Sequence, residues 1–182
     1  MSPRVEPLRR RLDDRSFERL YRQHLPEIYR YVLRDVGNRA DAEEVTQNAF
    51  LDAYRALGRG HAPEKPRAWL FGIAKNVARE SLRARARNNR HVDLDDKSVL
   101  DLSDQGPVPV SQLLSKELNE LIQTSLASLD EDKRLVFTLK VFQQCSYEEI
   151  ADITGFSIPK LKTDLHRARS EMRRRISPYV RL

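Results

Sequence analysis

The sequence predicts an all-α protein made of two small helical domains joined by a flexible acidic linker. Three observations carry that prediction. Wherever a pattern is sustained, apolar residues recur in steps of three and four. No Val- or Ile-rich alternation asks for a strand, and no internal repeat is present. A stretch without any period, HVDLDDKSVLDLSDQGPVPVSQ at positions 91–112, separates two groups of periodic segments.

Residues 1–15 read as a disordered basic N-terminal tail. The first domain spans 16–88. Phe17, Leu20, Tyr21, Ile28, Tyr31 and Val32 predict a helix from Phe17 to about Asp35, ended by Gly37-Asn38. Asp41 opens a second helix that runs to about Leu57, with Ala42, Val45, Ala49, Ala53 and Leu57 on its inner face. Gly58–Pro66, GRGHAPEKP, is a loop rich in the residues that break helices. A third helix runs from Arg67 to about Arg87, with Leu70, Ile73, Ala74 and Val77 inside. Three such helices can close one bundle.

The linker is placed at 89–112, where several Asp residues and the Gly-Pro and Pro punctuation oppose regular structure. The second domain spans 113–178. Helix formation resumes near Ser111 with Leu114, Leu118, Leu121, Ile122 and Leu126. Asp130 breaks that helix and can cap the next, which carries Leu135, Val136, Leu139 and Phe142. The stretch 146–175, SYEEIADITGFSIPKLKTDLHRARSEMRRR, reads as a helix-turn-helix. Its first helix is short, Gly155 makes the turn, and Ser157 caps a longer helix with Pro159 in the first turn. On that longer helix Ile158, Leu161, Leu165, Ala168, Met172 and Ile176 form one apolar stripe. Lys160, Lys162, Thr163, Arg167, Arg169, Ser170, Arg173 and Arg174 point away from it.

Charge is segregated along the chain. The 182 residues carry 33 Lys and Arg against 27 Asp and Glu, a net of +6. Residues 63–90 hold eight basic and two acidic side chains, and residues 158–182 again hold eight and two. Between them, residues 91–131 hold two basic and nine acidic. Two basic blocks around an acidic spacer point to two nucleic-acid-facing modules and a connector.

Several function classes are excluded. No apolar run approaches the roughly 20 residues a membrane helix needs, so no membrane insertion is expected. The N-terminus lacks the apolar core of a signal peptide, which predicts a cytoplasmic protein. Cys145 is the only cysteine, which rules out a disulfide framework and reads as a buried thiol. His24, His61, His91 and His166 are scattered, and no nucleophile elbow, P-loop or metal-ligand spacing is present. Neither enzymatic activity nor a metal or other cofactor is expected.

The third helix is the second nucleic-acid candidate. Asn76, Arg79, Arg83 and Arg87 share one face and Lys75 flanks it. Arginines neutralise phosphates, Asn reads a base edge, and Trp69 or Phe71 could stack on an unpaired base. Trp69 serves equally well as a core residue. The neighbouring loop can catch an extruded base or simply connect two helices. The second helix presents Asp41, Glu43, Glu44, Gln47, Asn48 and Asp52, a surface better suited to a basic protein partner than to DNA.

Together these segments resemble the bacterial RNA polymerase sigma factors of the extracytoplasmic-function group. The resemblance covers about residues 16–178. DAEEVTQNAFLDAY (Asp41–Tyr54) resembles the polymerase-binding helix of region 2, and WLFGIAKNVARESLRAR (Trp69–Arg85) resembles the helix that melts and recognises the promoter −10 element. SLASLDEDKRLVFTLKVF, followed by SYEEIADITGFSIPKLKTDLHRAR, resembles region 4, which binds the −35 element. The resemblance implies a non-catalytic subunit that directs promoter-specific initiation, with a stress or envelope-type regulon. Asp41, Glu43, Glu44, Gln47, Asn48 and Asp52 would dock on the clamp helices of the largest polymerase subunit, and the flap would be a further contact. His61, Lys65, Trp69, Lys75, Asn76, Arg79 and Arg83 would meet the −10 element. Ser157, Lys160, Lys162, Thr163, Arg167 and Arg169 would meet the −35 element. The acidic linker would thread the RNA channel, and an anti-sigma factor is an expected partner.

Three departures from the family pattern stand out. Asp130 replaces a frequent proline. Gln143-Gln144-Cys145 replaces an acidic-Gly-Leu approach to the helix-turn-helix. Pro159-Lys160 and Asp164 replace residues that are usually Gly-Thr and Arg. Near the DNA face Asp164 would repel phosphate or accept from a cytosine amino group. Two other classes remain on the residues alone. One is an operator-binding regulator, which leaves Asp41–Tyr54 and Trp69–Arg85 unexplained. The other is a nuclease using the 41–52 carboxylates, which lacks metal-ligand spacing.

Overall fold

The computed structural model describes residues 6–61, 63–88 and 110–179. Every regular element among them is helical, and the chain divides into two compact units. Most of the expected linker, 89–109, lies outside the described residues.

The first unit is built on α1 (Glu6–Val36), α2 (Arg39–Gly58) and α3 (Pro66–Asn88). α1 begins at Glu6, so most of the expected N-terminal tail is helical backbone. The reason is local. Pro7 stands in the first turn, where a missing N–H costs little, and Leu and Arg are strong helix formers. α1 also runs through Pro26, which cannot donate to the preceding turn. Gly37 ends α1 with φ +84°, a conformation glycine adopts without strain.

Ile28, Tyr31 and Val32 of α1 pack with Ala42, Val45, Ala49 and Ala53 of α2 and with Leu70, Phe71, Ala74 and Ala78 of α3 in the core. Two expectations shift here. Ile73 and Val77 are only half-buried, while Phe71 is 0% exposed and sits edge-on to Tyr31 at 5.4 Å. Phe71 is therefore a core residue and cannot stack on a base. A second aromatic group joins α1 to α2, in which Phe17 and Tyr21 meet Phe50 and Tyr54 at centroid distances of 4.8 to 6.4 Å.

The second unit comprises α4 (Val110–Ala127), α5 (Glu131–Phe137), a π-helical turn (Thr138–Phe142), α6 (Tyr147–Thr154) and α7 (Ile158–Ile176). α4 buries its C-terminal end, through Ser125 and Leu126, whereas Leu118 is 43% exposed and leaves the expected stripe. Asp130 caps α5 as expected, its carboxylate accepting from the Lys133 N–H at 3.0 Å. The expected single helix through Phe142 instead widens into the π turn. Across this junction the five consecutive residues Leu135 to Leu139 are all buried.

The helix-turn-helix follows. Ser146 and Glu149 form a reciprocal capping box at the start of α6. Gly155, with φ +76°, closes α6, and its N–H donates to the Ala151 carbonyl at 2.8 Å. The Ser157 hydroxyl caps α7 by accepting from the Lys160 N–H. Cys145 is fully buried. Ile150 and Ile153 of α6 and Leu161, Leu165, Ala168 and Met172 of α7 are all buried in this unit.

Candidate nucleic-acid and polymerase interfaces

α7 carries seven basic and two acidic side chains, and both acids are drawn away from its outer face. Asp164 is buried, at 9% exposure, with Oδ2 2.5 Å from the Lys160 ammonium. The same ammonium reaches Asp132 of α5 at 2.9 Å and lies 3.8 Å from the Phe156 ring centroid. Burial alone would lower the Lys160 pKa; hydrogen bonds to Asp164 and Asp132 outweigh it and hold the pKa above its ordinary value. Glu171 pairs with Lys133 of α5 at 2.7 Å.

Two expectations change in consequence. Asp164 does not stand on the exposed face of α7; it is turned inward as a partner of Lys160. Lys160 in turn is a strut between α7 and α5, since its charge is already matched by two carboxylates. The outer face left behind presents Lys162, Thr163, His166, Arg167, Arg169, Ser170, Arg173 and Arg174, all exposed. Two hydroxyls there are turned back onto the helix: Thr163 donates to the Pro159 carbonyl at 3.0 Å and Ser170 to the His166 carbonyl at 3.1 Å. His166 sits mid-face between Lys162 and Arg173, a position that helical spacing alone could have marked. Lys162 lies over the Tyr147 ring, as does Lys140, at 5.7 and 4.6 Å.

In the first unit α3 presents Asn76, Arg83 and Arg87 exposed, with Lys75 and Arg79 half-buried beside them. Burial, and then the charge of Arg79, pull the Lys75 ammonium below its ordinary value. Crowded cations of this kind are relieved by an approaching anion.

The loop before α3 is less free than expected. Gly60, at φ +86°, donates to the Leu57 carbonyl at 2.9 Å, and His61 donates to the Ala56 carbonyl at 3.1 Å. Those two bonds make a Schellman cap on α2 and fix the backbone of His61. Its exposed ring lies against the half-buried Trp69, centroids 5.3 Å apart and planes tilted by 32°. Lys65 is exposed, and its carbonyl accepts from the Trp69 N–H at 3.0 Å.

On α2, Glu43, Glu44, Gln47, Asn48 and Asp52 are exposed on one surface, as expected. Asp41 differs: it is only half-exposed and its carboxylate is ion-paired with Arg85 of α3. Asp52 pairs with Arg55 one turn on, at 3.1 Å. Leu51, 48% exposed, lies on the same side as Gln47 and Asn48 and adds an apolar anchor that the polar pattern concealed.

The chain matches known families. Residues 20–88 match the model for Sigma-70 region 2, and residues 119–172 match that for Sigma-70, region 4. The chain is 30% identical over 174 residues to the ECF RNA polymerase sigma-E factor of Escherichia coli K12, covering 93% of this chain and 91% of that protein. The chain belongs to the extracytoplasmic-function sigma factors. The RNA polymerase sigma-H factor of Pseudomonas aeruginosa is 29% identical over 178 residues, covering 93% of this chain and 90% of that one.

Two solved structures share the fold. The sigma factor RpoE of Bartonella quintana, solved with the anti-sigma factor NepR, aligns with a TM-score of 0.71 at 20% identity, over 89% of this chain and 97% of that one. CnrH, solved with the cytosolic domain of CnrY, aligns with a TM-score of 0.66 at 21% identity, over 95% of both chains. As a sigma factor, this chain is a non-catalytic subunit that binds core RNA polymerase and directs promoter-specific initiation. Among the described residues no helix is long and apolar enough to cross a membrane.

Proposed function

We propose that this sigma factor grips a split promoter with two separate surfaces and docks on the polymerase with a third. The first unit, with residues 16–88, serves as region 2, and the second, with residues 113–178, as region 4. The −35 element meets Lys162, Thr163, Arg167 and Arg169, joined by His166, with the Ser157 turn at the helix entry. Lys160 acts behind them as the strut. The −10 element meets His61, Lys65, Trp69, Lys75, Asn76, Arg79 and Arg83. Glu43, Glu44, Gln47, Asn48 and Asp52, with Leu51 among them, dock on the clamp helices. Asp41 supports that surface through its pairing with Arg85.

The observation that carries this reading is the outer face of α7. Its two acids are neutralised inward, which leaves cations and small polar groups toward a duplex. The protein works where its polymerase is, in the cytoplasm, on a stress or envelope-type regulon. An anti-sigma factor holds it inactive; both similar structures pair a sigma-fold chain with such a binder or a cytosolic domain.

The test is transcription in vitro from fragmented genomic DNA by core polymerase, with and without the chain. Discrete new start sites that share a −10 and a −35 sequence are expected. If no promoter-specific transcript appears and no complex with core forms on gel filtration, the reading fails.

A further inference from the structure

A buried charged circuit joins α1 to the first turn of α3. Glu27 uses both carboxylate oxygens: Oε1 lies 2.5 Å from His24 Nδ1, and Oε2 accepts from Arg67 Nε at 3.0 Å. His24 and Glu27 are largely buried, with side-chain exposures of 9% and 19%, and Arg67 is at 30%. The Arg67 guanidinium lies over the Phe71 ring at 5.2 Å, and Phe71 packs edge-on to Tyr31 at 5.4 Å. The circuit thus leaves α1 at Glu27, crosses to α3 at Arg67, and returns to α1 at Tyr31.

Its place in the fold gives it a second consequence. Arg67 follows Pro66, where the loop ends, and stands two residues before Trp69. α3 has no acidic residue in its first turn, so a cation there faces the positive end of the helix. Glu27 supplies a negative charge there from α1 and ties the first turn of α3 to α1 through Arg67. The tie lies two residues from Trp69, which stands against His61, whose backbone is pinned independently by the α2 cap.

We propose that Glu27 is a positioning residue for −10 capture, holding the His61–Trp69 pair in register through Arg67. The proposal rests on the −10 assignment of that pair. It predicts that Glu27 acts on strand capture without touching the strand.

The test uses holoenzyme assembled from core polymerase and the full chain. The probe is a pool of single-stranded oligonucleotides randomised over the −10 positions of the non-template strand. Glu27→Gln keeps the shape and removes the charge; Glu27→Asp keeps the charge; Arg67→Gln removes the partner. Glu27→Gln and Arg67→Gln should each weaken capture by about tenfold, with Glu27→Asp in between. Assembly with core and binding of a −35 duplex should stay within about twofold of wild type. In the free full-length chain the single tryptophan, Trp69, reads the register directly, so acrylamide quenching should rise in Glu27→Gln without loss of helical circular dichroism.

Unchanged capture and quenching in Glu27→Gln would overturn the proposal. So would an equal loss of capture, core assembly and −35 binding, which marks a purely structural role. If wild-type holoenzyme shows no preference within the pool, the −10 assignment itself fails and the proposal with it.

Discussion

The two basic helices, α3 and α7, reach the same end by different means. On α7 both acids and one lysine are tied up by ion pairs: Asp164 of α7 and Asp132 of α5 hold Lys160, and Lys133 of α5 holds Glu171. What remains outside is cationic by subtraction. On α3 the cations are crowded instead, with Lys75 half-buried beside Arg79, and the aromatic pair His61–Trp69 stands at the helix entry. A face of exposed cations on a capped helix suits a closed duplex, whose phosphates are regular. A crowded, partly aromatic face suits a strand whose bases are unpaired. Two lysines of equal formal charge, Lys160 and Lys162, thus have different surroundings two residues apart: one lies between two carboxylates, the other is exposed over the Tyr147 ring.

The comparison breaks most visibly in the aromatic core of the first unit. Phe71→Ala should destabilise that unit by about 3–5 kcal/mol. Denaturation followed by Trp69 emission reports it, because the only tryptophan lies in that unit. Glu44→Arg places a cation on the acidic face of α2 and should weaken core binding by about tenfold while leaving −35 duplex binding intact. Titration of labelled core polymerase measures the difference.

Lys160→Met leaves Asp164 buried without its cation and should cost about 1–2 kcal/mol. The value is reduced because the Lys160 side chain is 40% exposed and screened by water. Lys162→Ala should leave stability within about 0.5 kcal/mol. Equal stability losses in both would erase the distinction between strut and contact.

The smallest effect is at the α5 cap. Hydrogen bonds from the Lys133 side chain and N–H hold the Asp130 carboxyl below its ordinary value of 3.8. A depressed acid stabilises the fold above its unfolded pKa and loses that contribution as pH falls through the folded one. Asp130→Asn keeps the cap but not the charge. It should cost a few tenths of a kcal/mol at neutral pH, with the difference from wild type fading as pH falls below the ordinary carboxylate range and through the depressed folded-state value. Thermal melts across that range would show it.

What was legible in the sequence was local. Capping by Asp130 and Ser157, the turn at Gly155 and the α7 stripe all depend on residues within one turn of each other. The exposed face of α2 was legible for the same reason. What was hidden depends on partners far along the chain. Lys160 meets Asp132 at a separation of 28 residues, Lys133 meets Glu171 at 38, and Arg67 meets Glu27 at 40. Helical spacing places Asp164 at the edge of the apolar stripe and one turn from Lys160, but it does not bring Asp132 of α5 to the same ammonium, so the three-way cluster could not be read from α7 alone. Phe71 illustrates the same limit: an aromatic at a helix start has two readings until Tyr31 is found against it. The π turn at Thr138–Phe142 has no residue signature at all.

The claim that α7 binds DNA with what its internal ion pairs leave over is tested most directly by salt dependence. The measurement is the affinity of the holoenzyme for a −35 duplex, selected from a randomised pool, at a series of salt concentrations. Lys162→Ala and Arg167→Ala should each reduce the slope of log affinity against log salt by about one. Lys160→Met should leave the slope unchanged, even where its affinity falls through loosened packing. A slope reduced as much by Lys160→Met as by Lys162→Ala would contradict the account, because it would place the strut on the phosphates.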